Sequence, residues 1–203
     1  CLFALTNRIK FYDNYAQSGK WAKSEIFTNL DRSIGEIAGK SFGIIGLGEI
    51  GRGVARIAAA FGARVSYYST SGANANAGFK RLNLDELLSG CDIVSIHAPL
   101  NEKTRNLIGE RELNLMKEGA ILMNFGRGGI VDENAVARAI DERNLRFASD
   151  VLETEPMRAD HPLLRIKNKE NLILTPHVAW ASFEARERLV AMIVENIKEF
   201  LKG

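Results

Sequence analysis

Two hydrophobic rhythms alternate along this chain of 203 residues. Short runs that are apolar at almost every position, such as "CDIVSIHA" (Cys91 to Ala98) and "GAILMNF" (Gly119 to Phe125), predict strands buried on both faces, as in a parallel sheet covered by helices. Strands are predicted over Ser41–Gly46, Arg64–Ser69, Asp92–His97, Ala120–Phe125, Leu145–Asp150 and Asn171–Pro176. Between and after them the helical period predicts helices over Glu49–Phe61, Leu84–Leu88, Glu110–Met116, Asp132–Arg143 and Ser182–Lys202. The last puts Val190, Ile193, Val194, Ile197 and Leu201 on one stripe, with Ser182 as a cap and Glu184 in the first turn. The opening "CLFALTNRIKFYDNY" has Leu2, Leu5, Ile9 and Tyr12 at helical spacing and reads as one helix, Leu2–Tyr15. Ala16 to Lys40 is a polar connector with little periodicity, and "TSGANANAG" (Thr70 to Gly78) is a small polar loop. Strand alternating with helix, without internal repeat or low-complexity segment, gives a doubly wound α/β domain of the Rossmann type.

Composition narrows the partners. The chain is 46% apolar and 26% charged with a net charge of +2, and its charges are of both signs and interspersed. This argues against nucleic acid, and no apolar stretch approaches the roughly 18 residues of a membrane span. Cys1 and Cys91 have no partner cysteines or histidines at ligand spacing. No disulfide framework or metal site is expected, and a reducing compartment, the cytoplasm, is. The chain starts at Cys1, directly in a helical pattern, and reads as beginning inside a longer protein.

Chemistry concentrates where predicted strands end. "GIIGLGEIG" follows an apolar strand and opens an apolar helix, and the next strand arrives a helix length later. In that context Gly46 permits a tight turn, Gly48 leaves room for a pyrophosphate, and Gly51 lets helix and strand approach. The helix N-terminus then offers free N–H donors to phosphate. The competing explanation is a packing turn without a ligand. In "NFGRGGIVDENAV", Arg127 stands at the carboxyl edge of the sheet, where its planar fork suits a carboxylate; the alternative is an arginine that caps a nearby loop. "ASDVLETEP" and "LTPHVAWAS" bring Asp150, Glu155 and His177 to the same edge. Imidazole titrates near neutrality, and a carboxylate beside it orients it and favours its protonated form, so His177 with Glu155 suits proton transfer to an oxygen. His97 also ends a strand and is the rival acid/base, without an acid near it in sequence. His161, before Pro162 in a polar loop, is read as a surface residue.

These segments, with "CDIVSIHAPLNEKTRNLIGERELNLMKEGAILMNFGRGGIVDENAV" between them, resemble the D-isomer-specific 2-hydroxyacid dehydrogenases, and nearest their glycerate dehydrogenase or hydroxypyruvate reductase branch. The resemblance implies that Arg127 binds the substrate carboxylate, that His177 gives or takes the proton, and that Glu155 tunes the imidazole. It implies a cofactor held by Gly46, Gly48, Glu49, Ile50 and Gly51, and lined by Ser69, His97, Ala98, Pro99, Thr104, Phe125 and Gly126, with Asp150 on the nicotinamide carboxamide. Ser69 stands where the family usually has an acid for the adenosine ribose, so NAD and NADP stay undecided. The implied layout is an interdomain and dimerisation helix with its connector over 1–38, a dinucleotide-binding domain over 39–181, and a C-terminal helix over 182–203 returning toward a substrate domain that is largely missing. The implied activity is hydride transfer between a nicotinamide cofactor and a small 2-oxo or 2-hydroxy acid, in a homodimer. The same architecture also serves cofactor-sensing co-repressors; no basic tract or tail for a regulatory partner is present, which favours the enzyme.

Overall fold

Strands apolar on both faces need helices on both, and the computed structural model, which describes residues 1–73 and 78–202, supplies them. Residues 74–77 of the predicted small polar loop lie outside the described residues. In chain order the elements are α1 (Leu2–Thr6), α2 (Ile9–Gln17), β1 (Ser41–Ile45), α3 (Glu49–Ala60), β2 (Arg64–Tyr68), β3 (Lys80–Arg81), α4 (Leu84–Gly90), β4 (Ile93–Ile96), α5 (Glu110–Leu115), β5 (Ile121–Asn124), α6 (Glu133–Glu142), β6 (Arg146–Ser149), β7 (Leu172–Leu174) and α7 (Phe183–Phe200). The strands form one parallel sheet in the order β3-β2-β1-β4-β5-β6-β7. The order reverses between β1 and β4, and such a switch point opens a crevice at the carboxyl ends of the strands.

The two-residue period of the strands divides the core. Phe42 and Ile44 of β1 pack with Ile121 and Met123 of β5, under Leu5 of α1 and Ala55 and Ala58 of α3. Ile45, Val94, Leu122 and Phe147 face the other way, under Leu87 and Leu88 of α4, Leu113 of α5 and Val136 and Ile140 of α6. Burying each large apolar side chain contributes about 1.5–3 kcal/mol, so both layers are needed.

Three features depart from the sequence pattern. The first helix is two: Arg8 sits in the left-handed region at φ 53° and breaks it. The turn keeps α1 on the sheet, with Leu5 fully buried, while α2 leaves it with no buried residue. Arg8 Nη1 donates to Asn171 Oδ1, and the Thr6 carbonyl accepts from the Gly35 N–H at 3.2 Å, contacts that fix the break. The second departure is β3, whose exposed Lys80 and Arg81 pair with Ser66 and Tyr67 and carry no apolar alternation that would announce a strand. The third is α7. It is capped by Ser182 as expected, with Oγ accepting from the Ala185 N–H at 3.2 Å, but no residue of its stripe is buried.

Thermal unfolding of this chain separates the two kinds of apolar position. Phe147→Ala, at 1% exposure, is expected to lower stability by about 3–5 kcal/mol. Val190→Ala on α7, at 61% exposure, is expected to change it by less than about 0.5 kcal/mol. A large loss from Val190→Ala would mean that α7 packs where the structure leaves it open.

Candidate active site

The turn after β1 separates what packing requires of its glycines from what a ligand requires. Gly46 has φ 90°, and a Cβ there would lie 2.8 Å from the Ala98 nitrogen; one on Gly51 would lie 2.2 Å from the Gly46 oxygen. Both are demanded by the close approach of β1, α3 and the end of β4. Gly48 is different: no described residue comes within 4 Å of where its Cβ would be. No side chain caps α3, so its first-turn N–H groups stay available to an anion. An open cradle under a free helix N-terminus fits a pyrophosphate, and Glu49 and Ile50 stand exposed at its mouth.

The cleft beyond measures about 590 Å³, bounded by Gly46, Leu47 and Gly48, by Thr70 and Ser71, and by His97, Pro99 and the Asn101–Lys103 turn. Two residues expected along it stand behind it. Ser69 is buried, with no partner for its Oγ among the described residues, and Thr70 and Ser71 are the hydroxyls that line the cleft. Thr104 is wholly buried and braces the wall: its Oγ1 donates to the Pro99 carbonyl at 2.6 Å and accepts from the Asn101 N–H at 2.8 Å. Ala98 and Gly126 meet backbone to backbone, since a Cβ on Gly126 would lie 2.6 Å from the Ala98 oxygen. Phe125 is half-buried against the α1 and α3 layer. Arg81, remote in sequence, comes beside the turn after β2, where its Nη1 donates to the Gly72 carbonyl at 3.2 Å.

His97 lines this cleft in a buried environment that favours its neutral form. Burial pushes it down to about 4; Nε2 meets Ser95 Oγ at 2.9 Å, and Nδ1 has no hydrogen-bond partner among the described residues.

At the end of β5, Asn124 shapes the next loop. Its Oδ1 accepts from the Gly126 N–H at 3.1 Å and its Nδ2 donates to the Arg127 carbonyl at 2.9 Å. Asn124 is not among the residues expected at the site from sequence, although a polar side chain closing an apolar strand shortly before Gly-Arg-Gly is a signal. Arg127 is exposed at the carboxyl edge, its Nη1 donating to the Gly126 carbonyl at 2.8 Å. No ion pair joins it to Glu155 or His177 among the described residues.

The structure does bring Asp150, Glu155 and His177 together. His177 Nδ1 lies 2.7 Å from Glu155 Oε2, and Glu155 Oε1 accepts from the Leu152 N–H at 2.8 Å. Partial burial raises the Glu155 carboxyl, but the hydrogen bonds from His177 and Leu152 outweigh it and hold it below the ordinary value. His177 has φ 54°, its N–H donates to the Asp150 carbonyl at 2.9 Å, and its own carbonyl accepts from the Trp180 indole at 2.9 Å. Asp150 grips the same segment with its side chain: Oδ1 accepts from Thr175 Oγ1 and from the Val178 N–H at 2.9 Å, and Oδ2 from the Ala179 N–H at 2.8 Å. Burial pushes the Asp150 carboxyl up; these donors and nearby His177 prevail and keep it low.

One reading fails here. His161 is buried rather than a surface residue, because a half-buried carboxylate on α6 recruits it: Nε2 lies 2.7 Å from Glu133 Oε2. A polar neighbourhood in sequence does not reveal such a long-range partner.

The NAD-binding domain of the D-isomer specific 2-hydroxyacid dehydrogenases matches residues 1–179. A glyoxylate reductase of Aeropyrum pernix is 41% identical over 207 residues, a match that covers 100% of this chain and 61% of that protein. A hydroxypyruvate reductase of Blautia hydrogenotrophica is 35% identical over 205 residues, covering 100% of this chain and 63% of that protein. Among solved structures, D-lactate dehydrogenase from Aquifex aeolicus, complexed with NAD and lactic acid, is similar with a TM-score of 0.87 at 30% identity, covering 100% of this chain and 64% of that one. The chain therefore spans a little over three-fifths of the length of these relatives.

A depressed carboxyl contributes its stability in full above the ordinary Asp value of about 4, and loses it as the pH falls through the lowered value. Asp150→Asn is expected to lower stability at neutral pH by about 1.5–3 kcal/mol, the scale of charged hydrogen bonds. Its melting temperature should then fall less than that of the wild type as the pH is taken below 4. Parallel profiles for the two proteins would show that the ionisation of Asp150 is not linked to folding.

Proposed function

Since the chain belongs to the D-isomer specific 2-hydroxyacid dehydrogenases through their NAD-binding domain, we propose that it is the cofactor-binding part of an oxidoreductase acting on small 2-oxo and 2-hydroxy acids. The observation that carries this reading is the Glu155–His177 pair at 2.7 Å, on the same edge of the sheet as the glycine-lined cleft. The nicotinamide of the bound cofactor would supply or accept the hydride. His177 Nε2, the ring nitrogen that Glu155 leaves free, gives a proton to the substrate oxygen in reduction and takes it back in oxidation. Glu155 holds the ring by Nδ1 and stabilises the imidazolium, the part an orienting carboxylate plays beside a catalytic histidine. Arg127 exchanges its bond to the Gly126 carbonyl for paired bonds to the substrate carboxylate, and so draws charge toward the neighbouring carbonyl. Asp150 accepts three hydrogen bonds of the roughly four a carboxylate can take, which leaves a position for a carboxamide N–H.

Glyoxylate and hydroxypyruvate, named in the relatives, are the first substrates to expect, in the direction of reduction. The cofactor form is open in this reading, because Thr70 and Ser71 at the cleft surface tolerate a ribose hydroxyl or a phosphate. We further infer a homodimer built on α2 and the connector, which expose Trp21, Ile26, Phe27, Leu30 and Ile34, with Phe27 at 90%. The free thiols of Cys1 and Cys91 suit a cytoplasmic setting.

A nicotinamide fluorescence assay on the full-length protein, with both reduced cofactors and a panel of 2-oxo acids, tests the reading. His177→Ala is expected to cut turnover by about 10²–10⁴ while cofactor affinity changes little, and His97→Ala to spare the chemical step. The pH dependence of kcat/KM should lose an ionisation in His177→Gln and keep it in His97→Gln. A nearly silent His177 beside a damaging His97 would reverse the assignment. Light scattering at micromolar concentration is expected to give the mass of a dimer; a monomer mass would remove the interface.

A further inference from the structure

Two loops carry the proposed machinery, and the sheet alone does not fix one against the other: the turn from β5 to α6 holds Arg127, and the segment after β6 holds Glu155. We propose that Glu133 and His161 form a buried clasp between these loops and act as positioning residues for Glu155, an inference that rests on the functional reading above. Glu133 is the first residue of α6, yet the helix does not need it as a cap, since Asp132 already accepts from the N–H groups of Asn134 and Ala135. Its carboxylate turns instead across the gap. Oε1 accepts from the Glu153 N–H at 2.8 Å, and Oε2 lies 2.7 Å from His161 Nε2.

The tautomer follows from the far side of the ring. His161 Nδ1 accepts from the Leu163 N–H at 3.3 Å, so Nε2 carries the hydrogen and Glu133 is its acceptor. Leu163 is fully buried, which roots the imidazole in the core. The side chains of His161 and Glu133 are 6% and 13% exposed, and buried polar groups of this kind fix one geometry when every partner is in place.

The clasp ends one peptide from the site. Glu153 adjoins Leu152, whose N–H holds Glu155 Oε1 at 2.8 Å, and Glu155 Oε2 in turn meets His177. The two loops also touch directly: a Cβ on Gly128 would lie 1.9 Å from the Leu152 oxygen. Releasing Glu133 from Glu153 therefore loosens the backbone that aims Glu155, in a place where Gly128 gives the Arg127 loop no side chain to take up slack. Neither Glu133 nor His161 lines the dinucleotide cleft, so cofactor binding should not feel the change.

The test uses the full-length protein with Glu133→Ala, His161→Leu and the double variant, and with Phe42→Ala as a substitution in the opposite core layer that lowers stability alone. The clasp variants are expected to bind reduced cofactor within about twofold of wild type while kcat falls about tenfold or more. The double variant should be no worse than Glu133→Ala, which already removes the contact that His161→Leu breaks as well as the bond from the Glu153 N–H. His161→Gln, which restores an N–H donor, should recover most of the loss. The downfield proton on His177 Nδ1, assigned by its absence in His177→Gln, is expected to broaden or vanish in the clasp variants and to persist in Phe42→Ala. Wild-type kcat and an intact proton in the clasp variants would overturn the proposal. If the wild type reduces no 2-oxo acid, or Glu155→Gln does not slow it, the functional reading fails instead, and the imidazole proton alone decides the clasp.

Discussion

A carboxylate buried at the end of a strand must find donors, and the rest of the site is arranged around how Asp150 finds them. No regular continuation of β6 could supply three. The chain leaving β7 bends back instead, so that Thr175, Val178 and Ala179 point at one side chain. The bend carries His177 through the left-handed region, where a residue with a Cβ is strained by about 1–3 kcal/mol. Charged hydrogen bonds in a buried setting offset that strain. His177 is thus held from three sides, by Asp150 beneath, the Trp180 indole behind and Glu155 on the ring.

The cofactor side obeys a different constraint, which is space. Gly46 and Gly51 are needed before any ligand arrives, because β1, α3 and the end of β4 would collide otherwise. Gly48 has no such excuse. Its empty surroundings and the uncapped helix above it are features that folding does not require. The cleft is therefore built largely from backbone, whereas the Glu155–His177 pair is built from side chains brought in by the segments after β6 and β7.

Much of this was legible because it rests on short-range pattern. The six apolar strands occur with ends shifted by a residue or two, and Ser182 caps α7. The fingerprint turn sits where strand and helix meet. What the pattern hid depends on contacts between distant segments. Arg8 breaks the first helix through Asn171, and His161 leaves the surface for Glu133. Ser69, just past β2, and Thr104 turn inward instead of facing the cleft, Thr104 because its hydroxyl satisfies the Pro99 carbonyl and Asn101 N–H of its own turn. Asn124 was missed for the opposite reason: a strand-ending amide looks ordinary until its two bonds to the Arg127 loop are seen.

The margins of the sheet carry a consequence of their own. An edge strand exposes unpaired N–H and C=O groups, a template on which another chain can add a strand. Here one margin is β3, two residues long and made of Lys80 and Arg81, and the other is β7, three residues long and followed at once by the Asp150-bound bend. Neither offers a length of ladder to copy, and the first repels a second copy of itself by charge. The same brevity that conceals β3 from a reading of the sequence protects a largely apolar sheet from growing into an aggregate.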